Sequence, residues 1–389
     1  FDDPRREAVY RNFQVNLADL CAGLSAAGTP VVLSTVPVNL RDFPPLASVH
    51  RPSLGSEEKA VWEGAYRQGV AAEAAGDWLP AVDAYRKAAG VDDHHAELHF
   101  RLGRCLLALQ RADEARPHFQ WACDWDALQF RADRRVNRVI RETAARFGAR
   151  GVRLVDAETA LSTSPLSEAG LPGNRLFHDH VHPRFDGDYL LARAFYGAIV
   201  TALGSVLGEP SRPEASLPSR AACAEALAFT GWDELDVDAA MADQMARPPF
   251  VDQVGHEDRM RRLRSEIDAR QERYRRRGLQ PELEAYQRAL ERAPNDWRLH
   301  HNLGLLLTAL GKHQEAVRHL EVEVKTFPEL AWCRLPLIQT LMDAGRIREA
   351  ERQLEEALRL EPDLEPAKDL LAAIRRRGAK GMKNGVRGW

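Results

Sequence analysis

The sequence predicts a mostly α-helical protein with a small α/β part, which one pair of helical hairpins interrupts and a longer helical array follows. Two observations support this prediction. The chain aligns with itself at the same constant offset in two separate regions. Outside those regions, two short runs of β-branched and aliphatic residues alternate with helical patterns, as they do in parallel sheets covered by helices.

The composition is that of an ordinary globular chain, and it argues against several classes of function. The 389 residues suggest two or three domains, and hydrophobic and charged residues make up 44% and 29% of them. The net charge of −3 gives no electrostatic argument for binding nucleic acid or an anionic membrane surface. The five scattered cysteines predict neither a disulfide framework nor a metal site. We also expect no membrane-spanning segment and no cofactor.

The first self-similar region is centred near residue 100. Gly69, Gly76, Ala81, Tyr85 and Ala88 map by the constant offset onto Gly103, Gln110, Ala115, Phe119 and Ala122. All positions but the second keep their residue type. The small residues let the two helices of a hairpin approach closely, and the aromatic residue packs against the next hairpin. The offset, roughly 34 residues for one helical hairpin, is the period of tetratricopeptide repeats.

The second self-similar region lies near the C-terminus. Leu303, Leu307, Gly311, Ala316, Leu320 and Pro328 map onto Leu337, Leu341, Gly345, Ala350, Leu354 and Pro362. All six positions keep their residue type, and each proline ends the second helix of its repeat. A degenerate repeat ends at Pro294, with its first helix predicted at residues 257–277, and a helix at residues 365–377 would cap the array. We expect the grooves of such arrays to bind a protein or peptide partner.

The α/β part is predicted from the remaining sequence. Residues 7–26 are predicted to form a helix, and residues 30–36 a buried strand. After the inserted repeats come a helix at 132–147, a second buried strand at 152–156 and a last helix at 186–203. The first helix has apolar residues at Val9, Phe13, Val15, Leu17, Leu20 and Leu24. Helices and strands that alternate at this spacing imply parallel strands.

These patterns divide the chain into six segments. They are a first α/β segment (1–54), inserted tetratricopeptide repeats (55–129), a second α/β segment (130–207), a linker and helical connector (208–256), C-terminal tetratricopeptide repeats forming an α-solenoid (257–378), and a basic disordered tail (379–389). Two strands do not make a stable sheet alone. The chain also begins with Phe1 and opens directly into a helix. We therefore expect the remaining strands to come from sequence that precedes this chain.

A cluster of histidines in the loop after the second strand is the main candidate for chemistry. The loop contains His178, Asp179, His180 and His182, and ligands of open α/β sheets bind beyond the carboxyl ends of the strands. An aspartate three residues before a histidine can fold back in a tight turn. Asp179 would then hold Nδ1–H of His182 and leave Nε2 free as a base. We predict Asp179 and His182 as the catalytic residues.

Asp179-x-x-His182, followed by Pro183 and by Gly187 at the start of the last helix, resembles the last conserved block of SGNH, or GDSL-type, hydrolases. These are serine esterases and lipases with a flavodoxin-like three-layer fold. The order of helices and strands over residues 7–50 and 130–203 is also similar. The resemblance implies a partial fold of that type, with His182 as general base for a serine, Asp179 as its orienting partner and an acyl ester as substrate. Together with tetratricopeptide repeats, it is typical of multidomain bacterial proteins.

The sequence departs from that family where the nucleophile should be. Its Gly-Asp-Ser and Gly-x-Asn-Asp motifs have no match in this chain, and Ser34 at a strand end lacks the glycine context of an exposed nucleophile. The resemblance therefore implies a fragment of an acyl-ester hydrolase, or acyltransferase, that is inactive alone. In that hypothesis the repeats gate the site or recruit a macromolecular substrate. The alternative hypothesis is a non-catalytic scaffold that binds a protein partner through its repeats.

The same histidines allow two further interpretations. His178, His180 and His182 alternate along the chain, so that in an extended segment they would share one face and could bind a metal with Asp179. They could also be ordinary polar residues with satisfied hydrogen bonds. No targeting signal is visible in the sequence, and it leaves the cellular compartment open.

Overall fold

The computed structural model describes residues 4–207 and 217–384 of the chain. Its contacts divide the protein into two compact units. The first comprises Phe1–Arg220 and Val237–Asp268, and the second comprises Ala221–Asp236 and Ala269–Trp389. Among the described helices, none combines the length and the apolar character that crossing a membrane requires. The predicted linker residues 208–216 lie outside the described residues.

The elements up to the end of the α/β part follow the order that the sequence predicts: a helix and a strand, the inserted helices, then a helix, a strand and a last helix. They are α1 (Pro4–Ala26), β1 (Val31–Ser34), α2 (Ser56–Ala75), α3 (Trp78–Val91), α4 (Ala96–Ala108), α5 (Ala112–Asp124), α6 (Arg134–Phe147), β2 (Val152–Val155), α7 (Ala157–Ser162) and α8 (Phe185–Leu207). The short helix α7 lies in a segment that the sequence predicts to be loop.

The remaining described elements are helices. They are α9 (Arg220–Ala226), α10 (Gly231–Met245), α11 (His256–Arg277), α12 (Gln280–Arg292), α13 (Trp297–Ala309), α14 (His313–Thr326), α15 (Arg334–Asp343), α16 (Ile347–Leu360) and α17 (Glu365–Asn384). The last helix continues beyond residue 377, where the sequence predicts its end, and into the segment predicted to be a disordered tail.

The two strands form a parallel sheet, as predicted. Val31 lies opposite Val152 and Ser34 lies opposite Val155. The N–H of Thr35 donates to the Val155 carbonyl at 3.1 Å, which extends the ladder to the carboxyl ends of both strands. No third strand pairs with β1 or β2 among the described residues. The edge of β1 that faces away from β2 is therefore free of strand partners there.

The packed face of α1 includes only part of its apolar surface. The buried residues are Tyr10 and Cys21, at 6% and 1% exposure, whereas Val9 and Leu20 are 63% and 61% exposed. Small side chains next to Cys21 let α1 approach a cluster that includes Phe147 of α6. The apolar pattern of α1 wraps around more of the helix than a two-stranded sheet can cover. An apolar stripe is thus left exposed beside the packed face.

Glycine and aromatic residues close the hairpins of the inserted repeats. A Cβ on Gly69 would lie 2.5 Å from two carbons of the Tyr85 ring, and one on Gly103 would lie 3.0 Å from Phe119. Both rings are fully buried. The Tyr85 hydroxyl donates to Glu73 Oε2 at 2.7 Å. The aromatic residue at this position therefore packs across its own hairpin, directly over the glycine of the first helix.

Gly76 and Gln110 are equivalent positions of the inserted repeats that differ in residue type but share one backbone conformation. Gly76 has φ +79°, and Gln110, its equivalent in the next repeat, has φ +60°. Both follow the first helix of a repeat and turn the chain into the second. The left-handed region favours glycine, so Gln110 adopts a conformation that the repeat geometry imposes on it.

The inserted block begins and ends side by side. The N–H of Ala127 donates to the carbonyl of Ala47 at 3.0 Å. The carboxylate of Asp126 accepts the N–H groups of Leu46 and Ala47 at 2.9 and 3.0 Å. The chain thus leaves the α/β part and returns to it at nearly one point.

Arg131 secures this junction from within. Its side chain is 3% exposed and lies 3.4 Å from the Asp126 carboxylate. The same guanidinium donates to the carbonyls of Asn39 and Phe43 at 2.9 and 2.8 Å. One buried cation therefore ties the loop after β1 to the segment that follows the repeats.

The C-terminal repeats have the same interior with aliphatic residues in place of aromatic ones. A Cβ on Gly304 would lie 2.6 Å from Leu320 Cγ. In the degenerate repeat, Arg270 and Glu282 stand one repeat period before Gly304 and Ala316. These two positions therefore lack the small residues that let the helices of the other hairpins pack closely. Tyr286 is nevertheless fully buried, and its hydroxyl is hydrogen-bonded to Asp233.

Candidate functional site

Asp179 and His182 contact each other at the carboxyl-end side of the sheet. Asp179 Oδ2 lies 2.8 Å from His182 Nδ1. Asp179 Oδ1 accepts the N–H groups of Val181 and His182, both at 2.9 Å. The turn that the spacing predicts is thus present. The side chain of Asp179 is 1% exposed and that of His182 is 54% exposed, so the buried carboxylate holds one edge of the imidazole while the ring itself reaches solvent.

The loop after β1 anchors this turn. Asn39 is fully buried, and its N–H donates to the His180 carbonyl at 3.0 Å. Its side-chain amide donates to the Asp179 carbonyl at 2.8 Å and to Asn174 Oδ1 at 2.9 Å. Because Asn39 follows β1 closely, the histidine loop is held at the carboxyl end of the sheet. Asn39 is not among the residues that the sequence predicts for the site.

The environment of Asp179 keeps its carboxyl ionised. Burial alone would raise the pKa of this group. The ring of His180, the N–H groups of His182 and Val181 and the ring of His182 act in the opposite direction and hold the pKa well below its usual range. An ionised carboxylate next to Nδ1 selects the tautomer that carries a proton on Nδ1 and leaves Nε2 as an acceptor.

A glycine lets the last helix of the α/β part approach the histidine loop. A Cβ on Gly187 would lie 2.5 Å from the Leu176 carbonyl oxygen and 3.0 Å from Pro183 Cβ. The N–H of Arg184 also donates to the Leu176 carbonyl, at 2.8 Å. Any larger residue at position 187 would push α8 away from the turn. Close packing therefore accounts for the glycine that follows the Asp-x-x-His segment.

The other two histidines of the cluster have different partners. His178 Nδ1 lies 2.7 Å from Asp238 of α10. His180 is buried, with its Nδ1 3.1 Å from Asp179 Oδ2 but poorly directed for a hydrogen bond, and its ring contacts Phe43 and Phe250. Ser34, the remaining candidate, donates its hydroxyl to the Thr35 carbonyl at 2.8 Å.

The histidine cluster does not come together as a metal site. In the part of the chain that the structure describes, no three or more histidine, cysteine, aspartate or glutamate side chains form a group that could hold a metal ion.

A cavity of about 1010 Å³ lies within the first unit, between the inserted repeats and the histidine loop. Its lining includes seven arginines and five carboxylates. Asp179 and His178 lie in its wall, together with Glu73 of α2. The opposite wall is formed by α11 through residues such as Arg259 and Arg262.

The same side-chain bridge recurs in both repeat blocks, and sequence reasoning missed it. His99 Nδ1 lies 3.0 Å from His118 Nδ1, and His300 Nδ1 lies 2.8 Å from His319 Nδ1. In the following repeat, Arg334 donates to Gln353 at 2.6 Å. In each case the partners have the same separation along the chain, and the first residue also contacts a carbonyl six residues earlier.

These bridges join the two helices of a repeat to the turn before them. Burial, followed by the charge of neighbouring His99, lowers the pKa of His118 to about 4. Burial also lowers the pKa of His99, so that this pair is neutral near pH 7. The equal spacing of the two histidine pairs is the signal that could have revealed this feature in the sequence.

Three sequence models described as tetratricopeptide repeat match the chain. They cover residues 66–127, 285–318 and 307–374. These ranges coincide with the helical hairpins in both units. The chain contains tetratricopeptide repeats in both units. No curated protein matches it.

Several solved structures are similar to this repeat protein at low sequence identity. The structure of MamA is 13% identical, with 78% of this chain and 93% of that chain covered and a TM-score of 0.20. YrrB, described as a TPR protein with an unusual peptide-binding site, is 13% identical, with coverage of 82% and 98% and a TM-score of 0.22. The yeast Sti1 TPR2AB domain in complex with pHSP90 is 12% identical, with coverage of 82% and 97% and a TM-score of 0.22.

Proposed function

We propose that this repeat protein is a scaffold that binds a protein or peptide partner through its tetratricopeptide repeats. The observation that carries the proposal is a pair of large apolar side chains exposed on successive C-terminal repeats. Leu305 of α13 and Trp332, in the turn that opens α15, are 37% and 48% exposed. Their neighbours Leu306 and Cys333 are buried in the repeat interior.

The exposure of these two residues fits a binding surface better than a packing role. Leu303, Leu306 and Leu307 already fill the interior beneath α13, at 2% exposure or less. Leu305 is not part of that buried core. Tryptophan is enriched among the residues that dominate binding energies at protein interfaces. Stacked repeats present such side chains on one continuous surface that suits an extended partner.

The test of this proposal is selection from a random dodecapeptide phage library against the immobilised chain. We expect a shared sequence pattern among the peptides that wild type enriches. Leu305→Ala and Trp332→Ala should each bind those peptides at least about tenfold more weakly, because each removes an anchor of the hot-spot type.

Leu310→Ala is the matched control for this experiment. Leu310 is 36% exposed, almost the same as Leu305, but it lies in the turn that ends α13. This variant should bind like wild type. A selection without any consensus peptide, or equal binding by Leu305→Ala and Leu310→Ala, would contradict the proposal.

A second function is favoured by the Asp179–His182 pair: general base catalysis in a serine esterase site of the SGNH type. A buried, ionised carboxylate at 2.8 Å from Nδ1 of an exposed histidine is the arrangement that such a base requires. In this hypothesis the partial α/β part is a piece of a three-layer flavodoxin-like domain. The substrate is an acyl ester, and the serine lies outside the described residues.

Two further observations support the esterase hypothesis. Strand β1 has a free edge in the described part of the chain, and a sheet of two strands gains stability from further strands. Val9, Leu20 and Leu24 of α1 form an exposed apolar stripe. A wider sheet would give that stripe a surface to cover.

Hydrolysis of nitrophenyl butyrate by the product of the full gene tests this second hypothesis. We expect His182→Ala to lower kcat by about 10³-fold or more, since the base of such a triad acts in the transition state. Asp179→Asn should also lower kcat strongly. His94→Ala, in the loop between the inserted repeats, should leave kcat unchanged. Equal turnover by wild type and His182→Ala would remove His182 from the mechanism.

A further inference from the structure

The cavity between the inserted repeats and α11 contains more positive than negative side chains. Its walls carry seven arginines against five carboxylates. Four of the arginines are paired with carboxylates: Arg101 and Arg104 with Glu73 at 2.9 and 3.4 Å, Arg41 with Glu168 at 2.6 Å and Arg184 with Asp238 at 2.9 Å. Arg259 and Arg262 are not among these paired groups.

Arg259 is the most notable of these groups. It is partly buried, yet its side chain contacts neutral groups: it donates to Gln253 Oε1 at 2.6 Å and lies over the Phe43 ring at 5.8 Å. Its Nε is buried without a hydrogen-bond acceptor in the described structure. Buried charges are normally paired. The site thus presents a guanidinium that lacks a counter-ion among the described residues.

Arg262 adds a second positive charge one helical turn further along α11, and it also lines the cavity. Burial, and then the charge of Arg262, lower the pKa of Arg259 to about 10. Two like charges on adjacent turns destabilise each other unless an anion lies between them. A carboxylate placed there would accept charge-assisted hydrogen bonds from both guanidinium groups.

Apolar side chains line the same cavity next to the arginines. They include Val70, Trp78, Leu107 and Leu263. The cavity volume of about 1010 Å³ is at the upper end of the range for sites that hold small molecules. A site of this size with both apolar and cationic walls suits a peptide segment that carries acidic and apolar side chains.

The geometry points to a binding site for an acidic peptide in this cavity, with Arg259 and Arg262 as the groups that hold its carboxylate. This site is separate from the exposed Leu305 and Trp332, so it goes beyond the binding role proposed above and does not depend on it. Arg259 and Arg262 belong to α11 and not to the inserted hairpins. The inserted repeats thus supply one wall of the site and α11 supplies the other.

The experiment is fluorescence anisotropy with the whole chain and a fluorescein-labelled octapeptide of alternating leucine and glutamate. We expect saturable binding that weakens as salt concentration rises. The same peptide with glutamine in place of glutamate should bind at least about tenfold more weakly, since it cannot form charge-assisted hydrogen bonds. N-acetylglutamate should compete only weakly, because it lacks the apolar contacts.

Variants test whether the peptide binds at this site or is attracted by arginine side chains in general. The double variant Arg259→Gln/Arg262→Gln should bind the glutamate peptide at least about tenfold more weakly than wild type. Arg264→Gln, on the same helix but outside the cavity lining, should bind like wild type. Arg262→Gln alone, at an exposed position, reports on the site even if the double variant does not fold.

Four outcomes would overturn the inference. They are no binding of the glutamate peptide by wild type, equal binding of the glutamate and glutamine peptides, unchanged binding by folded Arg262→Gln and Arg259→Gln/Arg262→Gln, and competition by N-acetylglutamate as strong as that by the peptide. Trp332→Ala should bind the glutamate peptide like wild type. If the chain binds the glutamate peptide but no library-selected peptide, the proposed surface at Leu305 and Trp332 is wrong. If it binds the library-selected peptides but not the glutamate peptide, the proposed cavity site is wrong.

Discussion

Gly69→Ala is expected to destabilise the inserted repeats by about 3 kcal/mol, although it adds a single methyl group. The new Cβ would lie 2.5 Å from two ring carbons of Tyr85. The ring cannot move away, because it is fully buried and its hydroxyl is bonded to Glu73. The helices α2 and α3 must separate instead. Thermal unfolding followed by circular dichroism should show an earlier first transition.

Gly64→Ala on the same helix is the matched control for this prediction. A Cβ at position 64 meets nothing within 4 Å. Alanine there should stabilise α2 by about 0.5–1 kcal/mol, because glycine is a poor helix former. The two variants should therefore shift the transition in opposite directions. Similar shifts for both would mean that the close contact of Gly69 with Tyr85 does not limit the hairpin.

Arg131→Met is expected to lower the free energy of unfolding by about 3–5 kcal/mol, because it leaves a buried carboxylate without its cation. Asp126 would remain buried, and the carbonyls of Asn39 and Phe43 would lose their donor. Denaturant titration gives the magnitude. Limited proteolysis should also become faster near residues 40–54, since this loop would no longer be tied to the segment after the repeats.

The loss of stability in Arg131→Met should become larger as pH rises. Burial raises the pKa of Asp126, and Arg131 works against that rise. Without Arg131 the pKa rises further, so the folded chain retains a proton that the unfolded chain has released. Stability then falls as pH increases through this window. The variant should be more impaired at pH 8 than at pH 5.

Arg86→Met serves as the control for the junction. Arg86 forms an ion pair with Glu114 at 2.7 Å, and the two side chains are 45% and 44% exposed. Removing an exposed pair should change stability by about 1 kcal/mol or less. A comparable loss in both variants, or a deficit of Arg131→Met that does not vary with pH, would contradict the role assigned to Arg131.

The repeats could be predicted from the sequence because their main packing contacts join residues that lie close together in the chain. Gly69 meets Tyr85 and Gly304 meets Leu320, at the same separation in both repeats, so that one period contains the whole interaction. The turn of Asp179 and His182 is local for the same reason. A pattern of residue types is enough to reveal contacts of this length.

The rest of the candidate site depends on distant partners. Asn39 of the first α/β segment contacts Asp179 of the second, and His178 contacts Asp238 of α10. No spacing rule relates such residues. The exposure of Val9 and Leu20 on α1 could not be predicted for another reason. Periodicity indicates which face of a helix is apolar, but it does not say how much of that face the neighbouring elements cover.

The hydrogen bond from Ala127 to the carbonyl of Ala47 joins residues that all of the inserted repeats separate in the chain. Because the two ends of the inserted segment meet, its length does not change the distance between the residues of the α/β part to which it is joined. The register of the two strands therefore does not depend on the length of the inserted array.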